Sequence, residues 1–157
     1  MILMKRNAVF ILLFLAISLP PLLVQGGELK GHKAARKEPT ETIVFPAMPS
    51  PGTKVLIGSD HYLLYGFDKK PKLGTIIMKV EIFTRDGNRD TSFDVLADSG
   101  MPSMKGAHET GEQPFKVSNK GAYLLPVNIV MPGDWEIRFT IRKAGKVVFR
   151  GSHRFDV

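Results

Sequence analysis

The run WEIRFTIRK, Trp135 to Lys143, constrains this chain more than any other stretch. Trp135, Ile137, Phe139 and Ile141 alternate with Glu136, Arg138, Thr140 and Arg142. An extended backbone turns successive side chains to opposite faces, so the run reads as a strand with one apolar and one charged face. Turn signals bound it: Met131-Pro132-Gly133-Asp134 before, Ala144-Gly145-Lys146 after. Such a strand must bury its apolar face against a second layer.

The chain from residue 53 onward supplies that layer in short period-two runs. TKVLIG and HYLLYGF open the series, and GTIIMKVEIFT ends at Asp86-Gly87-Asn88, which reads as a hairpin-type turn. TSFDVLAD places Phe93, Val95 and Ala97 on one face. PFKVS, AYLLPVNIV and VVFRGSHRFDV follow, the first two separated by Asn119-Lys120-Gly121. No amphipathic helix of useful length is present. Strands at this spacing predict an all-β, immunoglobulin-like antiparallel β-sandwich of about seven strands over residues 53–157. Trp135 shares parity with Ile137 and Phe139 and is the expected core anchor. Tyr123, just after a turn, is read either as a tyrosine corner that bonds nearby backbone or as a packed ring. Pro126 cannot donate a ladder bond, which marks an edge strand or a bulge.

The N-terminus has a different character. Lys5 and Arg6 precede an apolar run from Ala8 to Leu19, two prolines interrupt it, and LLVQGG follows. Residues 1–26 read as a signal peptide cut near Gly26–Gly27, or as an uncleaved N-terminal anchor through residues 8–24. Either way the domain is expected outside the cytoplasm, periplasmic or extracellular. The chain has no cysteine, which rules out a cysteine-linked lipid and any disulfide, so the domain is held by its core alone. Residues 27–52 are basic and then proline-rich, with Pro39, Pro46, Pro49 and Pro51, and read as a tether. The formal charge is +7, and without Lys5 and Arg6 it is about +5. That balance favours an anionic membrane surface or an acidic partner, or simply keeps the surface solvated.

The stretch ADSGMPSMKGAHETGEQPF is where chemistry is expected. It sets Met101, Met104 and His108 within eight residues among Gly, Pro and Ser, and Met131 stands in a second turn. Thioethers are soft, neutral donors that suit Cu(I), with imidazole as a common co-ligand. Pro102 stiffens the loop and Gly106 lets it curl back. The candidate metal ligands are therefore Met101, Met104, His108 and Met131, with copper(I) as the cofactor. The competing reading makes the methionines adaptable filler over the end of the core. His61 is expected to be a strand-end residue. His153 shares parity with Phe149 and Phe155, and a bulge near Gly151 would turn it outward. His32 lies among lysines in the tether.

MPSMKGAHE followed by GAYLLPVNIVMPGDWEIRFTIRKAGKVV resembles the YtkA-like family of small exported β-sandwich domains and the related FixH proteins. The matching residues are Met101, Pro102, Met104, Gly121, Tyr123, Met131, Gly133 and Trp135, over roughly residues 53–157. Lys105, Gly106 and Ala107 separate His108 from the family's position close behind the second methionine. The resemblance implies the neighbourhood of copper-oxidase assembly.

Enzymatic signatures are absent from the sequence: no cysteine nucleophile, no Gly-x-Ser-x-Gly, no H-E-x-x-H and no phosphate-binding glycine loop. Scattered basic residues in an exported chain also argue against nucleic acid. Two functions are expected: an exported, non-catalytic copper(I) accessory module, or a structural module that docks on a membrane or envelope protein with the Met loop as a lid.

Overall fold

The computed structural model of the chain describes residues 42–106 and 108–157. The expected signal or anchor (1–26) and residues 27–41 of the expected tether lie outside the described residues. Among the described residues nine strands follow one another: β1 (Val55–Ile57), β2 (His61–Phe67), β3 (Gly74–Thr84), β4 (Asp94–Gly100), β5 (Gln113–Pro114), β6 (Lys116–Val117), β7 (Tyr123–Ile129), β8 (Asp134–Lys143) and β9 (Lys146–Asp156). The only helical element among the described residues is one 3-10 turn, Pro102–Met104. None of their helices is long and apolar enough to cross a membrane.

The strands form two antiparallel sheets, ordered β1-β2-β3-β7-β6 and β5-β4-β8-β9. With β1 set aside as an added edge, this is the strand order of an immunoglobulin sandwich. The nine strands exceed the expected seven because β1 is a short addition and PFKVS forms two strands rather than one. Phe115 is the break: Pro114 pairs with Leu96 in one sheet, while Lys116 pairs with Leu124 in the other. Its buried ring holds the chain where it changes sheets.

The two central strands make the core. Ile76, Met78, Val80 and Ile82 of β3 are fully buried, as are Ile137, Phe139 and Ile141 of β8, with Trp135 beside them. Each such side chain contributes roughly 1.5–3 kcal/mol. A net hydrogen bond contributes only about 1 kcal/mol, so apolar alternation decides which face turns inward. Pro126 sits where β7 is bare, because β6 pairs only with Tyr123 and Leu124.

Three local expectations change. The turn Asp86-Gly87-Asn88 closes on itself, Thr84 N donating to Asn88 O at 2.8 Å, but β3 and β4 it joins lie in different sheets. Tyr123 bonds backbone 30 residues away rather than nearby: its hydroxyl donates to Phe93 O at 3.1 Å and accepts from Phe93 N at 3.2 Å. That bond fixes the point where the chain enters the second sheet. The bulge lies at Ile141/Arg142, not near Gly151, so His153 keeps its inward parity.

The end of the expected tether, residues 45–52, lies against the sandwich. Ala47 bridges Ser152 in parallel, Met48 N donating to Ser152 O and Ser152 N to Pro46 O, each at 2.8 Å. On the other sheet, Tyr65 Oη donates to Pro49 O and Gly52 N donates to Tyr65 O. The strap thus stitches the open side of the sandwich between β9 and β2. Gly151 makes room for it. A Cβ there would lie 2.6 Å from Met48 Cγ and 2.8 Å from its Sδ. Gly151→Ala should therefore expel Met48 and speed hydrogen exchange at the Met48 and Ser152 amides, with the β3 and β8 amides unchanged. Unaltered exchange at those two amides would separate the strap from the notch.

His153 lies beneath this strap. Its Nδ1 is 3.1 Å from Tyr65 Oη, and its ring packs on Tyr65, Phe67 and Phe155. Because the hydroxyl donates to Pro49 O, Nδ1–H is the donor to Tyr65. Burial pushes the imidazole below its ordinary value of 6.5. The unfolded chain then takes up this proton at a higher pH than the folded one. Stability is full above 6.5, falls as pH drops through that value, and levels off below the folded value. His153→Phe should flatten that limb in urea melts run across the window, and an unchanged slope would assign it to other groups.

Candidate functional site

The methionine loop leaves β4 at the end of the sandwich where β7 also hands over to β8. Met104 N donates to Met101 O at 2.9 Å, closing the short turn that Pro102 begins. Ser103 ties the turn to β8, its backbone N donating to Asp134 Oδ2 at 3.1 Å and its hydroxyl to Oδ1. These Ser103 bonds hold the Asp134 carboxyl below the usual carboxylate range. The loop returns at Thr110, whose N donates to Ser99 O at 3.0 Å. Met131 is set by its own carbonyl, which accepts from Trp135 Nε1 at 3.1 Å.

The four proposed ligands share this end but not one environment. Met101 is 4% exposed and belongs to the core cluster. Gly133, at φ 137°, is what lets it in: a Cβ there would sit 2.7 Å from Met101 Cε. Met131 is half-buried against the same cluster. Met104 is 40% exposed, and His108 is half-buried with its carbonyl passing over Gly100. Met101 thus packs, while Met104, His108 and Met131 keep some access to solvent.

Beside Met101 lies a polar cavity of about 230 Å3, lined among others by Phe45, Lys105, Glu109, Glu136 and Arg138. Met104, His108 and Met131 do not line it. Most of its charges are paired: Arg138 bonds Asp98 and, at 3.1 Å, Glu109, while Arg154 Nε meets Glu136 at 2.9 Å. Among the described residues no three His, Asp or Glu side chains gather as a ligand group. A metal at this end would rest on thioether donors, which suits Cu(I) and not Zn(II) or Mg(II).

A second polar cluster, at the opposite end, was not legible as a group. Asp90 Oδ2 is 3.0 Å from His61 Nε2 and 3.2 Å from Lys143 Nζ. Hydrogen bonds from Ser92 first, then Lys143 and His61, hold the Asp90 carboxyl well below its usual range. Phe93 lies beneath, edge-on to His61 at 5.1 Å and under Lys143 at 4.4 Å. The cluster joins the start of β2, the β3–β4 crossing and the end of β8. It is a polar clamp across these three elements.

No family model and no curated protein sequence matches the chain. Among solved structures, FetP of a uropathogenic E. coli strain, expressed in the periplasm of E. coli, is similar. It is 15% identical, with a TM-score of 0.45, over 68% of this chain and 93% of FetP. A likeness at that level says nothing about chemistry.

The burial contrast between the two loop methionines is measurable. Met101→Ala should destabilise the domain by about 2–5 kcal/mol, the range for emptying a buried methionine site. Met104→Ala should change stability by less than about 0.5 kcal/mol. Urea denaturation of both variants checks this, and equal effects would contradict the inward placement of Met101.

Proposed function

We propose that the chain is an exported, non-catalytic β-sandwich module whose methionine end takes up Cu(I). What supports this reading is that Met104, His108 and Met131 stand on two separate connections at the same end of the sandwich, which Ser103 ties together through Asp134. Met104, His108 and Met131 would hold the ion, since Met101 is already committed to packing. Three donors of this kind suit a d10 ion that accepts low coordination. Met carries no proton to lose, so binding persists under mild acid better than at an all-histidine site. The sequence resemblance to YtkA-like and FixH-like domains supports the same neighbourhood, and the apolar N-terminal run supports a periplasmic or extracellular location. The module would then buffer Cu(I) or hand it to a membrane or envelope partner.

A second reading is favoured by one observation, the burial of Met101 in the core. In it the whole loop is a lid, and the protein acts by docking.

Purified protein under reducing conditions should compete with a chromogenic Cu(I) chelator and show no uptake of Zn(II). Met104→Ala combined with His108→Ala should weaken Cu(I) binding at least about tenfold while the unfolding midpoint stays unchanged. Wild-type protein that takes no Cu(I) from the chelator would overturn the copper reading in favour of the lid.

A further inference from the structure

The two outer faces of the sandwich are built on different chemistry. On the four-stranded sheet the outward charges pair with one another. Arg138 meets Asp98 and Glu109, Arg142 meets Glu112 at 3.0 Å, and Arg154 meets Glu136. That is an ordinary solvated surface. The outer face of the five-stranded sheet carries apolar side chains toward both ends, with Thr75, Asn128 and the Lys79–Glu81 pair set among them. Register places Ile77 opposite Pro126, both turned outward. Gly74 pairs with Ile129, so the next opposite pair is Leu73 and Val130, each 54% exposed. At the far end Leu56, Tyr62 and Phe83 align across three strands, and Leu56 is 73% exposed.

The outer ends of this strip, Leu73 and Phe83, lie ten residues apart along β3, roughly 34 Å. The only carboxylate turned outward from the strands of this face is Glu81, and it is spent on Lys79 at 2.8 Å and Arg89 at 2.6 Å. Around the strip stand lysines with no ion-pair partner among the described residues. Lys69, Lys70 and Lys72 are at the Leu73 end; Lys54, Lys116 and Lys120 are at and beyond the other. Lys54 also lies over the Tyr62 ring at 4.5 Å, Tyr62 stacks on Phe83 at 5.3 Å, and Arg89 covers Phe83 at 5.4 Å.

We infer that this face docks on the surface of an anionic phospholipid bilayer. The kind of cation decides between partners. Protein interfaces enrich arginine and deplete lysine, and they place an aromatic anchor in a pocket. At the Leu73 end the flanking cations are all lysine, while at the other end the two aromatics are stacked on each other between Lys54 and Arg89. Flexible ammonium groups beside exposed Leu73 and Val130 match a diffuse layer of anionic headgroups. The apolar side chains would reach the headgroup boundary without crossing it.

The absence of cysteine makes the test direct. Full-length Leu73→Cys and, on the opposite outer face, Asp94→Cys are labelled with an environment-sensitive fluorophore. Each is mixed with vesicles of phosphatidylcholine alone or with about one-third phosphatidylglycerol. The Leu73 probe should shift to the blue on the anionic vesicles only, and the shift should reverse at about 0.5 M salt. Lys69→Ala, Lys70→Ala and Lys72→Ala together should remove it. The Asp94 probe should not respond in any mixture. No response at Leu73 on anionic vesicles, or equal responses at both probes, would overturn the assignment. A shift that grows with protein concentration in the absence of lipid would overturn it too, assigning the face to a second copy of the chain.

Discussion

The packing of the inner row of β8 on the inner row of β3 is the constraint on which everything else rests. The chain has no cysteine, so no disulfide joins the two sheets. Ile137, Phe139 and Ile141 must therefore meet Ile76, Met78, Val80 and Ile82 closely enough to exclude water along the whole length of the sandwich. A one-residue slip in either strand would turn that row outward and bring Arg138 or Lys79 inward. The register of both sheets follows from avoiding that.

With the layers fixed, the connections acquire their work. The chain crosses between sheets three times, at the β3–β4 link, at Phe115 and at the β7–β8 turn. The first crossing is held by the Tyr123 hydroxyl on the Phe93 backbone and by the Asp90 clamp. The second is held by a buried ring, and the third by the Trp135 indole on the Met131 carbonyl. The open side is closed by a strap of prolines and Met48, which also shields an edge of β9 that would otherwise offer free backbone groups. His153 is half-buried as a consequence of that closure.

The same geometry separates the surfaces that remain. Met104, His108 and Met131 stand at one end, where soft donors are accessible. The four-stranded face is a lattice of ion pairs. The five-stranded face exposes apolar side chains at its ends, with lysines beside Leu73 that are unpaired among the described residues. Copper uptake and membrane docking are thus proposed for different parts of the domain. A protein with both would hold its ion-binding end beside a lipid surface, because Leu73 and Val130 belong to the same end as the methionine loop.

The alternation in WEIRFTIRK and GTIIMKVEIFT determined the strands, their inner faces and the buried position of Trp135, because a period of two is a local property of extended backbone. Residue type and loop composition also marked Met101, Met104, His108 and Met131 as candidate metal ligands, since neither needs neighbours to be read. What these left open was every relation between residues far apart in the chain. Tyr123 finds a partner 30 residues away, residues 45–52 dock on β9 and β2, and His61 meets Asp90 and Lys143. Proline-rich composition made the strap look like a tether, because its partners are Tyr65 on β2 and, about 100 residues later, Ser152 and the Gly151 notch on β9. The inward turn of Met101 likewise depends on the missing side chain at Gly133. Local pattern sets which face of a strand is apolar; only the closed sandwich decides what that face, and each loop beyond it, is pressed against.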